Sequence, residues 1–232
     1  MPLMYDEAGT ISDGMALVAK SVPVSGGEGE EVLLYGYLAI IGGEDSSESD
    51  EPEEVPVTAA VSGWAKEQVD SAAASGLIAD GLGDDYRVNI TRAQFAGITV
   101  KLYEAMSGEA APAAGDSPFT DTSDPAVIQA AALGFVGGMG DGKFDPDAAV
   151  TREQAALMLS RVYTKLGGEI PAVEATTFAD DDSIVGYAKD AIAFMSENEI
   201  VGGAGDNKFD PKGNASIEQA LVIALRMFEK LK

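Results

Sequence analysis

The sequence predicts a mainly α fold: three helix–loop–helix repeats preceded by a small β-hairpin segment. Three observations carry this reading. Anchors "NITRAQ" (Asn89–Gln94), "AVTREQ" (Ala149–Gln154) and "NASIEQ" (Asn214–Gln219) recur 60 and 65 residues apart, a period typical of repeated supersecondary units. Each anchor holds a capping box, Thr91 with Gln94, Thr151 with Gln154 and Ser216 with Gln219, which marks a helix start. One-sided apolar stripes follow, Ala155, Leu159, Val162 and Leu166 in the second repeat and Ile217, Leu221, Ala224, Phe228 and Leu231 in the third.

The elements follow in order. Residues 1–43 hold "ISDGMALVAKSVPV" and "EEVLLYGYLAI", β-type runs around a Gly/Glu turn. They predict a hairpin too small to be stable alone. Residues 44–56 include "EDSSESDEPEE", with seven acids in eleven residues, and are expected to be a disordered linker. The repeats are expected at 57–108, 119–168 and 178–232. In the first, a helix is expected near Trp64–Leu77, ahead of the loop "IADGLGDDYRVN". In the second, Asp124 can cap a helix with Pro125 in its first turn. In the third, Ile184, Ala188, Ala191 and Met195 share a face. The Gly-rich runs "GGMGDGKF" and "GGAGDNKF" suit left-handed helix stops and tight turns. "SGEAAPAAGDSP" and "GGEIPAVEATT" read as linkers.

Composition bounds the function. The 232 residues are 46% hydrophobic, enough for a real core, and carry a net charge of −24. Such a charge disfavours nucleic acid and anionic membrane surfaces. Without cysteine or histidine the chain has no disulfide, no zinc site of the usual kind and no His-dependent triad. No apolar run approaches the ~20 residues of a membrane span. "MPLMYDEAGT" is not a signal peptide, so a cytoplasmic protein or a piece of a longer one is expected.

The loop "DGKFDPD" is neither an EF-hand nor a phosphate loop. Counted from Asp141, Pro146 stands where the EF-hand needs glycine and Arg152 where it needs a bidentate carboxylate. Lys143 is followed by Phe144 rather than Ser or Thr. Phe144 and Phe209 are expected core plugs, and Pro146 and Pro211 stiffen the turn. "GDGKFDPDAAVTREQ" and "GDNKFDPKGNASIEQ" agree at 8 of 15 positions, with Ile217 in place of Arg152. Arg92 and Arg152, two of only five arginines, sit at first helical positions, where the macrodipole disfavours a cation by ~0.3–1 kcal/mol. Two readings stand open. Either each guanidinium and helix start form an anion pocket, or each arginine pairs with an acid of a neighbouring repeat.

"WAKEQVDSAAASGLI…NITRAQF", "FTDTSDPAVIQAAALGFVGGMGDGKFDPDAAVTREQAALMLSRV" and "FADDDSIVGYAKDAIAFMSENEIVGGAGDNKFDPKGNASIEQ" together resemble the S-layer homology (SLH) domain family. The resemblance runs from Val57 to Lys232 in three tandem copies. Phe-x-Asp, Trp/Tyr-Ala, Gly-Phe/Ile-Val-x-Gly, Phe-x-Pro and Thr-Arg-x-Glu/Gln occur in that order. It implies a pseudo-threefold helical body. Grooves between repeats would hold secondary cell-wall polymer, typically bearing pyruvate-ketal-modified N-acetylmannosamine, with the motif arginine facing the carboxylate. Carried over position by position, the implied contacts are Arg92 and Arg152; Asp121, Ser123, Asp180 and Ser183; Trp64 and Tyr187; and Gly138 and Gly203. The third copy has Ile217 for the arginine, the first lacks a clear Phe-x-Asp before Trp64, and Tyr187 replaces the usual tryptophan. The N-terminal "ISDGMALVAK…LLYGYLAI" resembles one incomplete bacterial WG repeat.

The resemblance implies a non-catalytic module anchoring a surface protein to anionic wall polysaccharide, with no cofactor, no metal and no membrane insertion. Its location would be the cell surface. Other surface proteins are a second partner class, since lateral contact in a surface array is the alternative function. A two-carboxylate glycoside hydrolase is a third reading, but no pair of acids is marked out. Trp64 and Tyr187 could instead be core aromatics. Asp121, Ser123, Asp180 and Ser183 could be helix caps only, and Gly138 and Gly203 could serve only backbone angles.

Overall fold

The computed structural model describes residues 59–232, together with the backbone of three antiparallel strands nearer the N-terminus: β1 (Glu7–Ile11), β2 (Met15–Pro23) and β3 (Glu31–Ala39), in order β1-β2-β3. The Gly/Glu turn expected within residues 24–30 and the acidic stretch 44–56 lie outside the described residues. So do the side chains on which the WG-like resemblance rests. The chain divides into two compact units, Met1–Glu51 and Pro52–Lys232.

The described part of the second unit is helical, with isolated β-bridges in place of strands. Its six helices are α1 (Lys66–Ala74), α2 (Arg92–Ser107), α3 (Pro125–Leu133), α4 (Arg152–Lys165), α5 (Lys189–Glu197) and α6 (Ile217–Leu231). The three long helices begin on complete capping boxes. Thr91, Thr151 and Ser216 accept from the backbone N–H of Gln94, Gln154 and Gln219, whose side chains accept in return from the cap residues' own N–H groups. Asp124 caps α3 through the N–H of Ala126 at 2.8 Å, with Pro125 in the first turn.

The first helices of the first and third repeats are shorter than the apolar pattern reaches. α1 begins at Lys66 because Ala65 already sits at its cap, so Trp64 lies outside the helix. α5 likewise follows Ala188, behind 3₁₀ turns at Asp181–Ser183 and Gly186–Ala188. Past the ends of α1, α3 and α5 the chain turns through left-handed backbone at Gly76 (φ 73°), Gly134 (φ 84°) and Glu199 (φ 55°). Two copies use glycine for this conformation and the third does not.

The anchors close into a ring. Ile90 N–H donates to Ala215, Ala215 N–H to Val150, and Val150 N–H to Ile90, at 2.9, 2.9 and 3.0 Å. Outside that ring, each helix start donates into a loop of the next copy. Arg92 and Ala93 reach the carbonyls of Ala148 and Pro146, Arg152 and Glu153 those of Gly213 and Pro211, and Ile217 and Glu218 those of Val88 and Tyr86. Helix packing obeys the same cycle: α2 lies on α3, α4 on α5, and α6 on α1. Each short helix therefore buries its apolar face against a neighbouring repeat, which is how units too small to stand alone share one core. Phe95, Phe135, Phe144 and Phe209 are fully buried in it.

Candidate functional site

Both Gly/Asp loops are held by a carboxylate. Asp121 accepts the backbone N–H groups of Phe144 and Asp145 on its two oxygens, each at 2.8 Å. Asp180 does the same for Phe209 and Asp210, at 2.8 and 2.9 Å. These donors hold both carboxyls below their ordinary pKa. The brace fixes Asp145 and Asp210 in left-handed backbone, φ 60° and 56°, and seats the preceding phenylalanine in the core. Neither carboxylate caps a helix, although Asp180 stands at the N-cap position of the 3₁₀ turn Asp181–Ser183. Gly138 and Gly203 are needed for room rather than for backbone angle. A Cβ on Gly138 would lie 2.8 Å from the carbonyl oxygen of Lys143, and one on Gly203 would lie 2.9 Å from that of Lys208.

Onto each braced loop falls the arginine of the preceding repeat. Arg92, only 6% exposed, donates from Nε to the carbonyl of Phe144 at 2.9 Å and from Nη2 to that of Gly137 at 3.0 Å. Arg152 donates to Phe209 at 2.8 Å and Gly202 at 2.6 Å. The guanidinium carbons lie 4.6 Å from the Phe144 ring centroid and 4.9 Å from that of Phe209. Burial pulls both arginines below their ordinary pKa, against the opposing pull of Asp145 and Asp121 on Arg92 and of Asp210 and Asp180 on Arg152. Both stay charged. Neither pairs with a carboxylate among the described residues, so the salt bridge weighed from sequence is not formed. Nη1 of Arg92 takes no partner there either.

Beside Arg92 opens a cleft of about 310 Å³. Its floor is Val136, Gly137, Gly138 and Met139 of the second repeat. One wall is a face of α4, Gln154, Leu157, Met158 and Arg161 at helical spacing, and Tyr187 of the third repeat closes the rim. All three repeats contribute to this one cleft. Tyr187 is 73% exposed and Met139 58%, so Tyr187 is not a core aromatic. Two arginines and no acid line the cleft, in a chain of net charge −24.

The matching position beside Arg152 is almost filled, with about 30 Å³ lined by Arg152, Ala155, Val201, Gly202, Phe209, Ala215, Gln219 and Ile223. At the third position the arginine is Ile217, fully buried, and Ala79 stands where the other copies have Gly137 and Gly202.

The residues implied by resemblance thus separate. Arg92, Gly138 and Tyr187 meet in the open cleft. Arg152 lines the filled one. Asp121 and Ser123 line a different, broad groove of about 1040 Å³ that also carries Asp80, Glu104, Asp124, Asp147 and Lys101. Ser183 ends a 3₁₀ turn, exposed. Trp64, 55% exposed, lies on the first repeat and is no core aromatic. Sequence reasoning passed over Arg161. The signal was present, since Lys101, Arg161 and Arg226 each stand nine residues after the anchor positions Arg92, Arg152 and Ile217.

Residues 118–156 and 177–221 match the S-layer homology domain. The chain is 34% identical over 176 residues to an amylopullulanase of Thermoanaerobacterium thermosulfurigenes, covering 72% of this chain and 9% of the relative. It is 35% identical over 147 residues to an endoglucanase of Bacillus sp. (strain KSM-635), covering 62% of this chain and 15% of the relative. A cell surface protein of Thermoanaerobacter kivui is 33% identical over 120 residues, 49% of this chain and 16% of that protein. The chain thus spans under a fifth of the length of each of these relatives. The two segments 118–156 and 177–221, each carrying one of the braced Phe loops, are thus S-layer homology domain repeats.

Proposed function

We propose that the chain is a non-catalytic anchoring module that holds a longer surface protein to anionic, pyruvylated cell-wall polysaccharide, with the ligand carboxylate bound in the cleft of Arg92. The single observation behind this reading is the charge of that cleft: two guanidiniums and no acid on a chain with 39 acids and 15 bases. Arg92 already spends Nε and Nη2 on carbonyls, leaving Nη1 to donate to a ligand. Tyr187 offers an aromatic face at the rim for a sugar ring.

Three repeats at 57–108, 119–168 and 178–232, related by a pseudo-threefold axis, fit the ring of hydrogen bonds through Ile90, Val150 and Ala215. The N-terminal β segment would belong to the remainder of the longer protein. Several relatives carry the names of glycan-degrading enzymes, and a role as the wall-attached portion of such a protein accords with the small share of each that is matched. No helix among the described residues is long and apolar enough to cross a membrane.

The test is sedimentation with purified, protein-free sacculi. The chain is expected to pellet with native wall and to remain in solution once mild acid has removed the ketal groups. Equal pelleting with both walls, or none with either, overturns the reading. Binding confined to other surface proteins would favour lateral contact in an array.

A further inference from the structure

We infer that Arg161 is a second ligand-contacting cation of the Arg92 cleft and sets its preference for a charged over a neutral sugar. The inference rests on the proposed function and adds to it a residue and a selectivity. Arg161 lies on the α4 face formed with Gln154, Leu157 and Met158, all of which line the cleft. Its Nη1 donates to the carbonyl of Phe135 at 3.1 Å. That bond orients the guanidinium, and no ion pair among the described residues engages it. A guanidinium held by a neutral carbonyl keeps its full charge for an incoming anion. Arg92 is different, since it is nearly buried and two of its nitrogens are taken by the loop. Arg92 therefore mainly holds the cleft together, and Arg161 supplies the more accessible charge.

The neighbouring copies show what is particular about Arg161. Its counterpart Lys101 in the first repeat is paired with Glu104 at 3.2 Å. Its counterpart Arg226 in the third lies in the field of Glu199, whose carboxyl is held below its ordinary pKa chiefly by Lys230 and to a smaller extent by Arg226. The position of Glu199 in the second repeat is Gly134, which carries no charge. Of the three cations, only Arg161 borders an open cleft without an acid at hand. A carboxylate entering between Arg92 and Arg161 would meet charge from both sides, whereas a neutral sugar would gain little from either.

The experiment is calorimetric titration of the 232-residue chain and its Arg161→Gln variant. The probes are a methyl N-acetylmannosaminide bearing the 4,6-pyruvate ketal and the same sugar without it. Wild type is expected to prefer the ketal form, and Arg161→Gln to bind it at least roughly tenfold more weakly. The two proteins should bind the neutral sugar alike, and Arg161→Lys should recover part of the loss. As a second readout, the Arg161 Nε–H resonance should shift on adding the ketal sugar, which a purely structural arginine would not do. A tenfold loss confined to the ketal sugar supports the inference. Equal affinity of wild type and Arg161→Gln for the ketal sugar overturns it while leaving the proposed function standing. Failure of wild type to bind the ketal sugar overturns both.

Discussion

Arg152 grips the carbonyl oxygen of Phe209, 57 residues further along the chain, at 2.8 Å, and stands over the ring of the same residue. An arginine that reads from sequence as a ligand-binding group is thus also a clasp between repeats. Arg152→Ala removes two charge-assisted hydrogen bonds, including the one to Gly202. Such bonds contribute about 1.5–3 kcal/mol each at most, with partial replacement by water at this half-buried site. The expected loss is about 2 kcal/mol of unfolding free energy, read from urea denaturation. Arg152→Lys should regain less than half, because a point charge cannot reach both carbonyls. An unchanged midpoint in Arg152→Ala would rule out the clasp.

Gly138 and Gly137 make a matched pair for testing steric need. A methyl group on Gly138 meets the Lys143 carbonyl at 2.8 Å and the Phe119 ring at 3.2 Å, whereas one on Gly137 meets nothing within 4 Å. Gly138→Ala is expected to cost about 1–3 kcal/mol through overpacking. Gly137→Ala should stay within about 0.5 kcal/mol of wild type. Thermal unfolding of the two variants checks this, and equal behaviour would contradict it.

Much of the fold is legible in the sequence because its signals are local. Thr91, Thr151 and Ser216 announce helix starts through their own neighbours, and each forms the expected box. The site is less legible because its parts come from different repeats. Nothing near Arg92 in sequence points to Tyr187, and only the cyclic packing brings them to one cleft. Asp121 and Asp180 keep their motif positions, but their oxygens are taken by backbone N–H groups across the loop, a use that sequence spacing cannot distinguish from ligand contact. The tightness of the Arg152 position, set in part by Ile223 where the open cleft has Met158, depends on packing and leaves no motif.

Acid should loosen the body through its loop braces. Lys189 and the N–H of Thr176 hold the Asp181 carboxyl down to about 2, against an unfolded value of about 3.9. A carboxyl whose folded pKa is depressed contributes stability above its unfolded value and loses it as pH falls through the folded one. The contribution of Asp181 should therefore disappear between about pH 4 and pH 2, with Asp121 and Asp180 adding to the same trend. Urea midpoints measured across this window should fall for wild type and fall less for Asp181→Asn. Parallel curves would show that the carboxyl makes no such contribution.

Closure of the ring between third and first repeats depends on Glu218. Nearly buried, it accepts both the N–H and the hydroxyl of Ser62 at 2.9 Å. Glu218→Ala leaves the Ser62 N–H without its partner and is expected to cost about 2 kcal/mol. Protection of α1 amides in hydrogen exchange should fall further than that of α4, since α1 packs on α6. Uniform loss across all helices would mean that Glu218 acts on global stability rather than on this junction.

The three inter-repeat positions should bind unequally. The Arg92 position is an open cleft of about 310 Å³, the Arg152 position holds about 30 Å³, and the third has buried Ile217 in place of a cation. A carboxylate brought against Ile217 would be desolvated without a partner, which is strongly unfavourable. A ligand at Arg152 would first have to displace packed side chains such as Ile223. Calorimetry with a monovalent pyruvylated saccharide is therefore expected to find one tight site, at most one weaker site, and none at the third position. Tyr187→Ala should leave stability within about 0.5 kcal/mol, because the ring is 73% exposed. It should weaken the tight site by about 1 kcal/mol, the scale of burying about 40 Å² of apolar surface at about 25 cal/mol per Å². A stoichiometry of three, or a tight site indifferent to Tyr187, would place the ligand elsewhere and leave Arg92 and Arg152 with a purely structural role.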